Sequence, residues 1–297
     1  MLTRYELDHI VAALERDRAG GAAPAGGNGG QPADRRPVPA PVTGTRPAEA
    51  PDGARAERSG TAAGVRAIIL AGGSGSRFTG SFIPKQFVQV QGKPILAYVL
   101  ETYESLPLID DVTLVINRRY EQLYYDIVNT YGCVKVRRMV PGGATRQASS
   151  AAGLAAIEPC EIVVVQDGVR PFTSPRVVME AVEVARQVGG ANVVVPTLDT
   201  IVECRDGLMA RVPDRTYLFS GQAPQAFRYD VLAGAHRRAE EAGITTATDD
   251  AQLVLAAGGR VGVVEGAYSN FKITTYEDFL FASTLVERAR AGDGNRW

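Results

Sequence analysis

Five runs of about six residues, RAIILA (66–71), DVTLVI (111–116), EIVVVQ (161–166), ANVVVP (191–196) and RVGVVE (260–265), are separated by helical patterns. They are rich in β-branched residues and apolar without alternation, as strands buried on both faces must be. Between them apolar residues recur at helical spacing over about 94–105, 118–131, 146–157, 175–189, 228–241, 248–257 and 276–290. Doubly buried strands need helices above and below. The alternation therefore predicts an α/β fold, a Rossmann-like, doubly wound, mostly parallel sheet. Ligands of such sheets bind beyond the carboxyl ends of the strands, so the residues after each run are where chemistry is expected.

One segment breaks the alternation. DTIVECRDGLMARVPDR (199–215) places two short β-type stretches around Asp206-Gly207, a favoured hairpin turn. A hairpin does not readily join a parallel sheet, so it is expected to project as an arm over about 199–217. An arm with apolar positions needs a surface to cover it, and a homodimer would supply one; a flap folded on its own domain is the other possibility.

The beginning of the chain has a different character. From Gly20 to Gly64 it is dominated by Ala, Gly, Pro, Arg and Asp, with no apolar period and no aromatic residue. Such a stretch cannot bury enough surface to offset its ordering entropy, so 20–64 reads as a disordered linker. Residues 1–19 read as a short amphipathic helix, with Leu7, Ile10, Val11 and Leu14 on one stripe and a Thr3/Glu6 capping-box pattern. That helix is either a weakly docked tail or a docking element for a pathway partner. The folded domain is then expected over 65–290, followed by a short tail, 291–297.

Several function classes are disfavoured. The net charge is −1 and no basic stripe interleaved with aromatics occurs, so neither nucleic acid nor a membrane surface is an expected partner. No transmembrane span and no apolar secretory core are present, which points to a cytoplasmic protein. The three cysteines, Cys133, Cys160 and Cys204, fit neither a zinc site nor a disulfide framework and read as ordinary structural residues. Of the two histidines, His9 precedes the linker and His236 lies in GAHRRAEE, which resembles a solvated helix face. Histidine-based triads and metal sites are thereby disfavoured, leaving Lys, Arg, Asp and backbone to do the chemistry.

After the first strand comes AGGSGSRF, in which Ala71, Gly72, Gly73 and Gly75 let backbone N–H groups approach a phosphate. No Gly-Lys-Ser/Thr follows, and Phe78 stands where a dinucleotide fingerprint needs its third glycine, so neither of those loops is present. Arg77 and Lys85 add charge downstream, and Pro84 stiffens the approach of Lys85. Asp167, at the end of the third run, is a natural ligand for Mg²⁺ beside a phosphate loop. Arg170 offers a fork-shaped donor for a second phosphate, unless it serves only a surface ion pair with Asp167.

Taken in order, LAGGSGSRF…PKQF, PGGATRQASSAAGL, QDGVRPF, LDTIVE, GQAPQAF, TDDAQLV and NFKITTYEDF resemble the polyol-phosphate cytidylyltransferases, the enzymes that couple CTP to 2-C-methyl-D-erythritol 4-phosphate or ribitol 5-phosphate. The resemblance covers essentially 66–288. It implies a nucleotidyltransferase-type sheet with Ala71, Gly72, Gly142 and Ser149 around the nucleotide and Arg77, Lys85 and Lys272 as the phosphate-stabilising, catalytic cations. It also implies Asp167 on the metal side, and Arg170, Thr200, Arg215 and Thr248 on the polyol phosphate, with Thr200 and Arg215 reaching over from a partner subunit's arm. Gly168 stands where the family usually has alanine, which would loosen that position. The wording of LDTIVE, GQAPQAF and KITT, with the spacing from Arg77 to Lys85, leans toward ribitol 5-phosphate as acceptor, with 2-C-methyl-D-erythritol 4-phosphate as the alternative and a non-catalytic nucleotide-binding scaffold as a further one.

Overall fold

The computed structural model describes residues 63–73 and 83–291. The expected helix over 1–19, nearly all of the expected linker over 20–64 and the tail beyond Ala291 lie outside the described residues. The elements run β1 (Val65–Leu70), β2 (Gln89–Val90), β3 (Lys93–Pro94), α1 (Ile95–Glu104), β4 (Asp111–Ile116), α2 (Glu121–Thr130), β5 (Val136–Pro141), α3 (Arg146–Ala155) and β6 (Ile162–Asp167). There follow α4 (Pro175–Val188), β7 (Gly190–Pro196), β8 (Glu203–Arg205), β9 (Leu208–Arg211), β10 (Phe219–Arg228), α5 (Tyr229–Glu241), α6 (Asp250–Ala256), β11 (Gly262–Glu265) and α7 (Tyr276–Arg290).

The five β-branched runs are all strands of one seven-stranded sheet, ordered β11-β7-β10-β6-β1-β4-β5. Pairing is parallel from β6 through β5 and between β7 and β11, while β10 runs antiparallel between β6 and β7. Successive side chains of β1 serve opposite faces, as a pleated strand requires. Ala67 and Ile69 join Leu96 and Leu100 of α1 and Val178 and Val182 of α4 in one core layer. Ile68 joins Leu154 of α3, Leu232 of α5 and Val254 of α6 in the other. Every one of these residues is at most 5% exposed, so the doubly wound architecture is the two-layer solution its buried strands demand.

Local signals end the helices where the sheet needs its loops. Ser174 accepts from Val177 N ahead of Pro175 at the start of α4, and Gly189, with φ +106°, closes the same helix in the left-handed region. Thr275 and Asp278 form a capping box that starts α7. The expected arm is present as the β8–β9 hairpin. Its turn residues Asp206 and Gly207 have φ of +50° and +79°, the primed two-residue turn that Asp-Gly favours. Leu208 and Met209 on this hairpin are 74% and 66% exposed, and Leu198, Val202 and Tyr217 nearby are exposed too. Cys133 and Cys160 are buried, and burial pushes both thiols up to about 11, in keeping with structural roles. Among the described residues no helix is long and apolar enough to cross a membrane.

Candidate active site

Strand register assembles the site. Leu70 of β1 pairs with Asp167 of β6 and with Val115 of β4, and Ile116 pairs with Pro141 of β5. The segments after four parallel strands therefore leave the sheet at one level and surround a cleft of about 440 Å³. Ala71, Gly72, Gly73, Lys85, Ser149, Asp167 and Lys272 line it, as do Gly143, Thr145 and Arg146.

The glycine loop is fastened from behind. Ala71 N donates to Val115 O at 2.9 Å and Gly168 N to Leu70 O at 2.9 Å. A Cβ on Gly72 would lie 3.2 Å from Ile116 O, which explains the glycine there by close approach rather than by backbone twist. The carboxamide of Gln86, only 1% exposed, donates to Ala71 O at 2.7 Å and Gly73 O at 3.1 Å, and the buried Tyr124 hydroxyl also donates to Ala71 O at 2.6 Å. With these carbonyls held from inside the fold, the loop presents its other side to the cleft. Gln86 belongs to the Lys85–Phe87 turn behind Pro84, so one short segment supplies both a brace for the loop and a lysine that lines the cleft.

Across the cleft, Thr145 caps α3 by accepting from Ala148 N at 3.1 Å, and the Ser149 hydroxyl accepts from Gly143 N at 3.1 Å. Gly142, expected at the nucleotide, gives its N–H to Ile116 O at 2.8 Å, and the cleft wall is formed by the next residue, Gly143. A Cβ on Gly143 would sit 2.5 Å from Ala148 Cβ, so this turn admits no side chain without shifting α3.

Asp167 is the carboxylate of the site and is 8% exposed. Arg170 Nε donates to its Oδ2 at 3.2 Å and Lys272 Nζ lies 3.2 Å from the same oxygen. Burial alone would raise this carboxyl, but Lys272, Arg170 and Arg146 outweigh it and hold the group far below the usual carboxylate range. The ion pair with Arg170 is therefore real but mostly buried, and Arg170 also donates through Nη1 to Asn270 O at 2.7 Å. Asn270, 2% exposed, accepts from Thr173 Oγ1 at 2.9 Å and donates to Ala223 O at 2.7 Å, tying the Lys272 segment to the Asp167 loop. Gly168 is packed rather than loose. A Cβ there would lie 3.0 Å from Ala71 Cβ and 3.1 Å from Leu70 O, which corrects the expectation drawn from the missing alanine.

His236 is not on a solvated face. Its side chain is 9% exposed and Nε2 stands 2.9 Å from Oδ1 of Asp250, which is wholly buried. The helix turns His236 inward together with Ala235 and Ala239 of GAHRRAEE, where α5 meets α6. Sequence reasoning also passed over Gln86, Arg146, Asp250 and Asn270, because a polar residue inside a motif reads as surface until its buried partners are known. Arg77 and Gly75 lie outside the described residues. Thr200, Arg215 and Thr248 are exposed and are not among the residues lining the cleft; Arg215 Nη1 donates to Leu198 O at 2.9 Å and Thr248 N to Gln252 Oε1 at 3.0 Å.

A cleft with lysine and arginine on several sides, one depressed carboxylate and a glycine loop suits a polyphosphate. Among the described residues no three His, Cys, Asp or Glu side chains converge as a metal cage. The donor set fits a hard divalent ion that takes one protein carboxylate, Asp167, and most of its oxygens from substrate phosphate and water.

The family model described as IspD, 2-C-methyl-D-erythritol 4-phosphate cytidylyltransferase, matches residues 65–288. The chain belongs to this family. It is accordingly a nucleotidyltransferase of the cytidylyl-transferring kind. The family member from Clostridium acetobutylicum is 39% identical over 224 residues, covering 75% of this chain and 97% of that protein. A bifunctional IspD/IspF enzyme from Desulforudis audaxviator is 43% identical over 222 residues, 74% of this chain, and the match spans 56% of that longer protein. The crystal structure of 4-diphosphocytidyl-2C-methyl-D-erythritol synthase from Anaerococcus prevotii superposes with a TM-score of 0.67 at 33% identity, covering 76% of this chain and 99% of that one. The Clostridium and Anaerococcus relatives carry methylerythritol names, none of the three names ribitol, and the lean toward ribitol 5-phosphate finds no support among them. The motif wording behind that lean includes GQAPQAF, which is largely a buried β-strand and its polar supports, and so does not report the acceptor.

Proposed function

We propose that this chain transfers CMP from CTP to 2-C-methyl-D-erythritol 4-phosphate, giving the CDP-polyol and pyrophosphate. The observation that carries the reading is the match of the methylerythritol family model across the whole stretch that builds the cleft, 65–288. The cationic cleft around Asp167 supports the same chemistry independently.

A phosphate monoester is ionised at neutral pH, so the attacking oxygen needs no general base, and among the described residues no histidine lines the cleft. The glycine loop, Ala71 to Gly73 with Gly75, and the Gly143–Ser149 turn hold the nucleotide. The acceptor oxygen attacks the α-phosphorus in line, and negative charge builds on the α-phosphate oxygens. Lys85 and Lys272 meet that charge as pre-placed cations, and Arg77 is assigned to the same role from its place in the family motif. Asp167 keeps Lys272 in place and would hold Mg²⁺, whose bound charge would further neutralise the phosphates. On the acceptor side Arg170, whose Nε and Nη1 are held by Asp167 and Asn270 O, and Thr248 contact the polyol phosphate. Thr200 and Arg215 complete the acceptor site from the arm of a second copy, and the exposed Leu208 and Met209 of that arm support a homodimer.

Pyrophosphate release from CTP and Mg²⁺, measured separately with methylerythritol phosphate and ribitol 5-phosphate, tests the acceptor. Turnover with the first at least about a hundredfold above the second is expected, a discrimination of about 3 kcal/mol. Comparable or faster turnover with ribitol 5-phosphate would overturn it.

A further inference from the structure

Behind the cleft lies a buried ionic chain that the chemistry above does not use. Arg146, in the first turn of α3, lines the cleft, and its Nη1 bonds Oδ2 of Asp250 at 2.8 Å. The other oxygen of Asp250 is met by His236 Nε2 at 2.9 Å, and its backbone N–H donates to Gln225 Oε1 at 3.0 Å. The aspartate is fully buried and His236 nearly so. Three further contacts latch the same turn of α3 to the segment before α6. Thr145 Oγ1 donates to Thr245 O at 3.3 Å, Gln147 Nε2 donates to Ile244 O at 2.6 Å, and Ala247 N donates to Gln147 Oε1 at 2.9 Å.

A buried ion pair is a weak source of stability, because desolvation offsets most of its attraction. It is a strong way to fix geometry. Arg146 feels the carboxylates of Asp250, Asp167 and Asp249, and Asp250 is the one its guanidinium is hydrogen-bonded to. A fork with one arm anchored at the back presents its remaining N–H groups in a fixed direction.

We propose that Arg146 is a further nucleotide-phosphate contact of the CTP site and that Asp250 and His236 are positioning residues acting through it. The inference rests on the cytidylyltransferase reading but is independent of which polyol is the acceptor. CTP binding to the full chain, with Mg²⁺ and no acceptor, is therefore the test, followed by titration calorimetry. Arg146→Ala should weaken CTP binding about ten- to a hundredfold, the range for losing charge-assisted hydrogen bonds. His236→Leu should weaken it about three- to tenfold, and His236→Gln, which can keep a donor to Asp250, should restore most of that. In the Arg146→Ala background His236→Leu should have no further effect. A His236→Leu effect that persists undiminished without Arg146, or that is absent in the wild-type background, overturns the inference while leaving the enzyme assignment intact. Failure of the unmutated chain to bind CTP at all would overturn both. Because Asp250 is buried, the two His236 variants carry the test even where Asp250→Asn does not fold.

Discussion

Lys272→Ala separates chemistry from architecture. The Lys272 side chain is 38% exposed and its ion pair is with Asp167, which retains Arg170 on the same oxygen and Arg146 nearby. An ion pair open to water to that extent contributes at most about 1 kcal/mol to stability. For a domain of this size that is a fall in Tm of about 2–4 °C. If instead Lys272 meets charge that develops on the α-phosphate, its loss should cost about 10²–10³ in rate, equivalent to about 2.7–4 kcal/mol of barrier. The barrier effect should therefore exceed the stability effect about threefold or more. Pyrophosphate release at saturating CTP and acceptor gives the first quantity and a thermal melt of the same preparation gives the second. Near-wild-type turnover, or a stability loss as large as the barrier change, would refute the reasoning, since either would make the lysine a structural partner of Asp167.

Three other outcomes follow from named contacts. Asp167→Asn should abolish most activity and also lower stability by about 3 kcal/mol, because it strips the counter-charge from the buried Arg170; a melt unchanged from wild type would contradict this. Because the Asp167 carboxyl is depressed in the folded state, its contribution is fully present above the unfolded carboxylate value near 4 and is lost as pH falls through its lower folded value. Acid titration should accordingly show a wild-type advantage over Asp167→Asn that shrinks only below about pH 4. Gly143→Ala should raise KM for CTP and cost about 1–3 kcal/mol, since its Cβ would meet Ala148 at 2.5 Å; an unaffected KM measured at varied CTP would show that the turn does not bound the nucleotide. Leu208→Asp with Met209→Asp should dissociate the proposed dimer, and sedimentation showing one unchanged oligomer would remove the arm from the interface.

The doubly buried strands were legible because nothing but a sheet covered on both faces accommodates runs such as EIVVVQ. Two strands of the large sheet escaped for physical reasons. In β5, VRRMVP pairs with β4 at the sheet's edge, where Arg137 is exposed and Arg138 is ion-paired with Asp111 at 3.0 Å, and the two arginines break the apolar run. In β10, SGQAPQAFR carries glutamines and a proline through the sheet, with a register shift between Gly221 and Gln225, and its burial is tolerable because Gln225 bonds the Asp250 N–H. The same contrast holds in the site. Gly72, Lys85 and Asp167 could be named because glycine, lysine and a strand-end carboxylate have few roles in that order. Gln86, Asn270 and His236 could not, since their value lies in partners about 15 to 100 residues away in sequence. The acceptor was least legible of all, because its proposed contacts sit on exposed positions such as Thr200 and Arg215, where sequence alone carries no packing constraint.

Competition between acceptors tests the central claim most directly. The full chain would be given limiting CTP, Mg²⁺ and equal amounts of 2-C-methyl-D-erythritol 4-phosphate and ribitol 5-phosphate, and the cytidine diphosphate products resolved by mass. The account predicts that essentially all cytidylyl groups appear on the methylerythritol acceptor, with one pyrophosphate released per product. A mixture dominated by the ribitol adduct, or unchanged CTP with both acceptors present, would contradict it.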